Sequence, residues 1–411
     1  MRQIQIDPCD VLFFRDYKPF SGGEQSVAAV RFPPLPLPFV GALRAVMLET
    51  LGQGEVKNKD ELLDDPKITA LVGGPDDPSP LSFSGPYLLR EIDGELELFL
   101  PCPSDVLIGK GKHDQMKFSQ LVPENEPLLP GVAVSDPGMI LRAGAMEGKA
   151  ESAQGLMLSS DTFASYLLGD MDESPDDGII SSADFFQKEQ RPGIALEPGK
   201  RTTQQGMFYS ADFVRLNNKL GSKQKFSFVM RINSNDDLKK ILPEHGTQRL
   251  GGEGKFAFFK NLPDKEFFSD IESLREEIED KICESQKFKL CLLSPAIFQN
   301  GWIPDNVDPH DLILRVNGQQ FRLKGAAVPK PINIGGWDLK NKRPRPLFRA
   351  GPAGSVYFFE ADGGVLEKTA QTIMNAFFLE SAMSTSNGSN RIPALYRASG
   401  FGLSVVGSWD Y

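Results

Sequence analysis

Residues 264–298 read DKEFFSDIESLREEIEDKICESQKFKLCLLSPAIF. Over Asp264–Cys283 the apolar residues Phe267, Ile271, Leu274, Ile278 and Ile282 fall on one stripe with acids opposite, which predicts an amphipathic helix. Phe288–Phe298 then reads as a buried strand. Further on, Leu312–Val316 and Phe321–Ala326 flank Asn317-Gly318, a hairpin signal. Ser355–Glu360 is a strand, Glu367–Leu379 a helix with Ala370, Ile373 and Phe377 inward, and Leu403–Ser408 a last strand.

The other side of the opening stretch mixes the same elements. Lys225–Ile232 and Phe256–Lys260 are strand candidates, and residues 1–14 form a first strand. After the proline run Pro33–Pro38, read as a stiff lead-in, Val40, Leu43, Met47 and Leu51 recur at helical spacing up to Gly52. Leu81–Arg90 and Glu95–Pro101 make a hairpin around Asp93-Gly94; Arg191–Leu196 and Gly206–Tyr209 make strand, turn, strand. Residues 103–190 are the least regular part, with a short helix at Asp161–Leu168. Hairpins with helices packed on them indicate α+β rather than alternating βαβα. The expected architecture is two ferredoxin-like (RRM-like) domains with antiparallel sheets: residues 1–218, with insertions at about 53–80 and 103–190, and residues 219–411, ending in a glycine-rich loop.

Composition excludes some functions. There is no run of about 18 apolar residues, so no membrane partner is expected, and Met1–Asp7 alternates as a strand does rather than as a signal peptide. Cys9, Cys102, Cys283 and Cys291 form no Cys-x-x-Cys pair and stand apart from His113, His245 and His310, so no metal is expected. Few cysteines fit a reducing cytoplasm. Net charge is −10, against nonspecific nucleic-acid binding, yet screening over about 8 Å lets a local basic track act by itself.

No catalytic motif survives inspection. In Arg249-Leu250-Gly251-Gly252-Glu253-Gly254-Lys255, Arg249 and Phe256 stand where a phosphate loop needs Gly and Ser or Thr; a turn offering Arg249 or Lys255 to RNA is the functional alternative to a plain turn. Pro75 interrupts Gly73-Gly74-Pro75-Asp76-Asp77, which therefore reads as a solvated loop rather than a metal-holding palm turn. The histidines read as loop residues. Cations mixed with aromatics are more informative. Arg15, Lys18 and Arg31 alternate with Phe14, Tyr17, Phe20 and Phe32, and Lys342, Arg343, Arg345 and Arg349 surround Phe348. Cations fix phosphates while rings stack on unpaired bases.

Asp10–Arg44, with Phe14-Arg15, Pro19-Phe20 and Gly41-Ala42-Leu43-Arg44, resembles the opening of the RAMP superfamily. Arg191–Ile194, Gly206–Tyr209, Leu250–Gly254, Ser294–Phe298, Gly301-Trp302, Gly335–Asp338, Pro352–Tyr357 and Gly400–Gly407 follow in the order of one family within it, the third subunits of the Cmr complex, the type III-B CRISPR effector. The resemblance implies a noncatalytic RNA-binding subunit without a cofactor. Such a subunit holds the 5′ tag of the guide RNA and docks the large palm-domain subunit and the first backbone subunit in antiviral defence. On this reading Arg15, Lys18, Arg31, Arg44, Arg249, Lys255, Lys342, Arg343, Arg345 and Arg349 are candidate RNA contacts, and Gly400 and Gly402 admit close backbone approach. The alternative is a metal-independent RAMP endoribonuclease that processes guide precursors, using His113, His245 or Tyr17.

Overall fold

The computed structural model describes residues 1–16, 27–52, 62–74, 76, 78, 80–110, 116–124, 140–143, 150–171, 178–197, 199–200, 202–218, 222–233, 238–262, 266–338, 341–383 and 394–409. Two antiparallel sheets dominate. The first has eight strands, in spatial order Ile179–Ser181, Leu156–Ser159, Glu95–Pro101, Ser82–Ile92, Gln224–Asn233, Arg2–Pro8, Phe256–Asn261 and His245–Arg249. Alternation along Arg2–Pro8 sends Ile4 and Ile6 into a core under the helix Pro36–Leu51, whose Phe39, Leu43 and Met47 are fully buried there with Phe228 and Met230. Each such side chain contributes about 1.5–3 kcal/mol by leaving water. The proline run does not delay this helix, because Pro36 occupies its first turn, where no intrahelical N–H bond is lost. Gly52 closes it through an N–H bond to the Leu48 carbonyl.

The second sheet has six strands: Ile313–Val316, Gln319–Ala327, Val356–Ala361, Lys287–Leu292, Leu403–Gly407 and Glu380–Ser381. The helices Arg275–Ser285 and Glu367–Phe377 pack together, the second laying Ala370, Ile373, Met374 and Phe377 on this sheet's core. That core is continuous with part of the first sheet: Tyr87, Leu89 and Val229 share it with Phe268 and Ile271. Setting the outer strands apart, Arg2–Pro8, Ser82–Ile92, Gln224–Asn233 and Phe256–Asn261 in the first sheet, and Lys287–Leu292, Gln319–Ala327, Val356–Ala361 and Leu403–Gly407 in the second, lie in the spatial order fourth, first, third, second along the chain. No helix forms between Lys287–Leu292 and Ile313–Val316, where Pro295, Pro304 and Pro309 punctuate the chain.

Three expectations need correction. The division at 218/219 cuts through the first sheet, because Gln224–Asn233 is wedged between Arg2–Pro8 and Ser82–Ile92; the chain leaves that sheet only after Asn261. The helix over 264–283 is broken into Ser269–Glu272 and Arg275–Ser285. Ser269 and Ser273 donate their hydroxyls to the carbonyls of Glu266 and Asp270, competing with the helical ladder, although Phe267, Ile271, Ile278 and Ile282 are buried as their spacing requires. The buried strand over 288–298 stops at Leu292. The insertion 103–190 carries more strand than its sequence suggests, including Val106–Lys110, Met116–Glu124 and Ile140–Ala143 in one small sheet. Among the described residues no helix is long and apolar enough to cross a membrane.

Candidate nucleic-acid interface

A cationic surface is formed by a pair of short ladders that the chain inserts between two strands of the second sheet, Gln319–Ala327 and Val356–Ala361. Ile332–Ile334 pairs with Phe348–Ala350, and Trp337-Asp338 pairs with Arg343-Pro344. The turn joining the inner pair is built by Asp338, which accepts from the Asn341 backbone N–H at 3.0 Å and from its Nδ2 at 2.7 Å. Lys342 takes the left-handed conformation there, at φ +50°. Lys342, Arg343 and Arg349 are all exposed, and no ion pair is found for them among the described residues. Trp337, 56% exposed, stands opposite Pro344.

Arg345 is different. Its Nη1 lies 3.1 Å from Asp76 Oδ1, and its side chain is only 15% exposed. Asp76 is fixed from behind, since its carbonyl accepts the Leu395 N–H at 3.1 Å. Phe348 meets Tyr396 edge-on, and Tyr396 meets Phe401 in the same way, so the hairpin is anchored to the C-terminal segment by a run of rings. Burial pushes the Tyr396 hydroxyl above its ordinary pKa, against the nearby Arg345 charge, which lowers it.

The N-terminal cations reach the same place. Residues 14–16 pair with 29–31: the Arg31 N–H donates to the Phe14 carbonyl and the Asp16 N–H to the Ala29 carbonyl, each at 2.9 Å. Arg31 Nη2 then lies 2.9 Å from Asp16 Oδ1 and 3.2 Å from the Asn333 carbonyl. Asn333 is the ladder partner of Arg349. The structure thus joins Arg15 and Arg31 to the hairpin of Arg349 across more than 300 residues of chain. Arg15 is exposed at this junction. Lys18 lies outside the described residues, as do Tyr17, Phe20 and His113.

Most of the other expected contacts serve the fold. Arg44 donates to the carbonyls of Val72, Gly73 and Gly74, closing the C-terminus of the helix Pro66–Val72 with a cation where the helix dipole favours one. Phe14 and Phe32 are not free to stack on bases, since they stack on Phe39 and Phe186 instead. The glycine loop is buried from Gly400 through Gly402. A Cβ on Gly400, at φ +94°, would stand 2.6 Å from the Phe83 carbonyl oxygen; one on Gly402 would stand 2.6 Å from the Met383 side chain. These glycines allow backbone to approach the chain itself rather than a phosphate. The 250–255 turn is likewise closed on the protein, with the Gly252 N–H donating to the Phe13 carbonyl at 2.8 Å. It leaves Arg249 over the Phe256 ring and Lys255 over the Phe213 ring. Among the described residues no group of three His, Cys, Asp or Glu could hold a metal.

Sequence reasoning missed Trp337, Asp16 and Asp76. The tryptophan was legible beside Gly335-Gly336; the two acids carry no local signal, because their arginine partners are distant or bonded through a turn.

Two solved structures resemble the chain at low identity. One, described as the Type III-B Cmr-beta bound to cognate target RNA, aligns over 97% of this chain and 95% of its own, with 15% identity and a TM-score of 0.48. A second, Cmr-beta bound to cognate target RNA and AMPPnP, aligns over 91% and 89%, with 14% identity and a TM-score of 0.45. No curated protein matches the chain by sequence. The model of the CRISPR-associated protein family Cas_Cmr3 matches residues 4–409, nearly the whole length, and the chain therefore belongs to the Cas_Cmr3 family.

Proposed function

We propose that the chain is a noncatalytic RNA-binding subunit of a type III-B CRISPR (Cmr) effector complex. It holds the 5′ tag of the guide RNA and docks the large palm-domain subunit and the first backbone subunit. Two ferredoxin-like domains are part of this reading, supported by the strand order common to both sheets. The observation that carries it is the exposed hairpin of Lys342, Arg343 and Arg349 beside Trp337, tied to the Arg15–Arg31 segment through Asn333. Cations there would neutralise phosphates and release their counterions, while an exposed indole offers a face to an unpaired base.

The test is co-expression with the neighbouring subunits and measurement of the RNA that copurifies. Charge reversal of Lys342, Arg343 and Arg349 together should strip guide RNA from an otherwise assembled complex; full retention of the guide would refute the assignment. The endoribonuclease reading is separated by incubating the purified chain with guide precursor in EDTA. Of its candidate residues only His245 lies among the described ones, exposed on the edge strand of the first sheet and not in the hairpin.

A further inference from the structure

The first sheet has one face only half covered. Tyr87, Leu89 and Val229 on that face are buried in the core shared with the second sheet. Gln3 and Gln5 of Arg2–Pro8 are still buried on it, but the outer strands Phe256–Asn261 and His245–Arg249 expose theirs. Phe256 and Phe258 point out of it, 46% and 55% exposed, while Ala257 and Phe259 between and beyond them are buried on the opposite face. Large apolar rings exposed in alternation on an ordered strand are not required by the core, which Ala257 and Phe259 already serve.

Their neighbours are polar, with the cations Arg249 and Lys260 and the acid Asp7 among them. Register sets Arg249 opposite Phe256, Thr247 opposite Phe258 and His245 opposite Lys260. On the inner side Asp7 faces Phe258, and Gln5 faces Lys260. The Arg249 guanidinium already lies over the Phe256 ring, 5.7 Å from its centre. Asp7 accepts from Gln5 Nε2 at 3.2 Å, and burial raises its carboxyl pKa, against Gln5 and the Lys260 charge, which lower it. Phe258, Lys260, His245 and Thr247, together with Asp7, line a shallow open depression.

We propose that this open half-sheet is a second nucleic-acid site, which takes unpaired bases on Phe256 and Phe258 and the connecting phosphates on Arg249 and Lys260. Rings two residues apart on a strand stand roughly 7 Å from one another, and a pair of strand aromatics flanked by cations is an arrangement that receives successive bases of a single strand. A protein partner would equally cover exposed phenylalanines, but the cations beside them in a chain of net charge −10 favour an anionic, ring-bearing occupant. The site lies in a different sheet from the Lys342–Arg349 hairpin and stands independently of it.

The experiment uses the full chain with a ten-nucleotide oligouridine carrying 4-thiouridine, and a duplex of equal length as control. The single strand should bind and crosslink within residues 256–260, and the duplex should not. Phe256→Leu with Phe258→Leu keeps apolar bulk but removes the stacking faces; affinity should fall by about five- to a hundredfold per ring, with an unchanged melting temperature. Phe258→Tyr should retain binding, whereas a docking surface for protein would tolerate leucine as well. Reversing the charges of Arg343 and Arg349 should leave this crosslink in place, which separates its failure from failure of the guide-tag reading. Crosslinks confined to other segments, undiminished binding by the leucine variant, or a crosslink from a photoreactive phenylalanine at position 258 to another subunit in an RNA-free complex would each overturn the proposal.

Discussion

Lys289 Nζ lies 3.0 Å from the carbonyl oxygen of Tyr166 and 3.5 Å from the centre of its ring. Both residues are fully buried, as is Asp105, whose two carboxylate oxygens each accept the Tyr166 hydroxyl at 2.9 Å. Lys289 belongs to the central strand of the second sheet, while Tyr166 and Asp105 come from the segment inserted into the first. Asp105 and Lys289 also act on each other's charge, so this buried cluster ties the second sheet to the inserted segment. Removing one partner strands the other, at a cost of about 3–5 kcal/mol, whereas removing both charges is far milder. Lys289→Met should destabilise by that amount, and adding Asp105→Asn, which still accepts from Tyr166, should restore most of it. Equilibrium urea unfolding of both variants checks this; additive losses would mean that the two charges do not interact.

The same lysine sets a pH dependence. Burial lowers its pKa from 10.5 to about 8, against the Asp105 charge, which raises it. Between those values the unfolded chain holds a proton that the folded chain has released. Stability from this group therefore rises with pH across about 8 to 10.5, by at most ~1.4 kcal/mol per pH unit, and is lost as pH falls back through that window. The difference in unfolding free energy between wild type and Lys289→Met should widen as pH rises from 8 to 10. A flat difference would place the titration elsewhere.

The elements were largely legible because their periodicities are local: Ile4 and Ile6 alternate, and Phe267, Ile271, Ile278 and Ile282 recur, whatever packs on them. Long-range choices were not legible. Nothing in Gln224–Asn233 says that it enters the first sheet rather than the second, since a strand's pattern marks burial and not its partner. The candidate site was half legible for the same reason. Lys342, Arg343 and Arg349 are exposed as their composition suggests, but Arg44 has the same chemistry and closes a helix, because the carbonyls of 72–74 arrive from 28 to 30 residues away. Glycine is the most ambiguous letter. A tight approach to backbone and a tight approach to phosphate have the same sequence, and at Gly400 the neighbour is Phe83.

That ambiguity can be tested at Gly400 and Gly402. Alanine at 400 would meet a carbonyl oxygen at 2.6 Å in a left-handed conformation, and backbone in a strand has little room to yield. A loss of roughly 1–3 kcal/mol is expected from the strained backbone alone. Alanine at 402 meets the Met383 side chain, which can rotate away, so its loss should be smaller despite a similar φ of +74°. Calorimetric melting of the two variants should rank them in this order. If Gly400→Ala instead melted normally while losing guide RNA, the loop would be a phosphate contact after all.

Two acids hold back arginines of the candidate interface, and their removal gives the most direct test of it. Asp16 holds Arg31, with both side chains 19% exposed, and Asp76, itself 67% exposed, holds Arg345. A pair with its acid this open to water contributes only about 0–1 kcal/mol to stability, so Asp76→Asn should leave folding nearly intact. It would, however, free a guanidinium beside Arg343 and Arg349 and remove one negative charge from the path of the RNA. If the hairpin grips phosphates, guide affinity should rise severalfold, and the log–log salt slope should steepen by ~0.7 for each new contact with a single strand. Asp16→Asn should act in the same direction through Arg31, less strongly because the Asn333 carbonyl still holds that side chain. An interface that relied on shape alone would show neither change, and weaker binding by Asp76→Asn would mean that the pair is needed to position the hairpin rather than competing with its ligand.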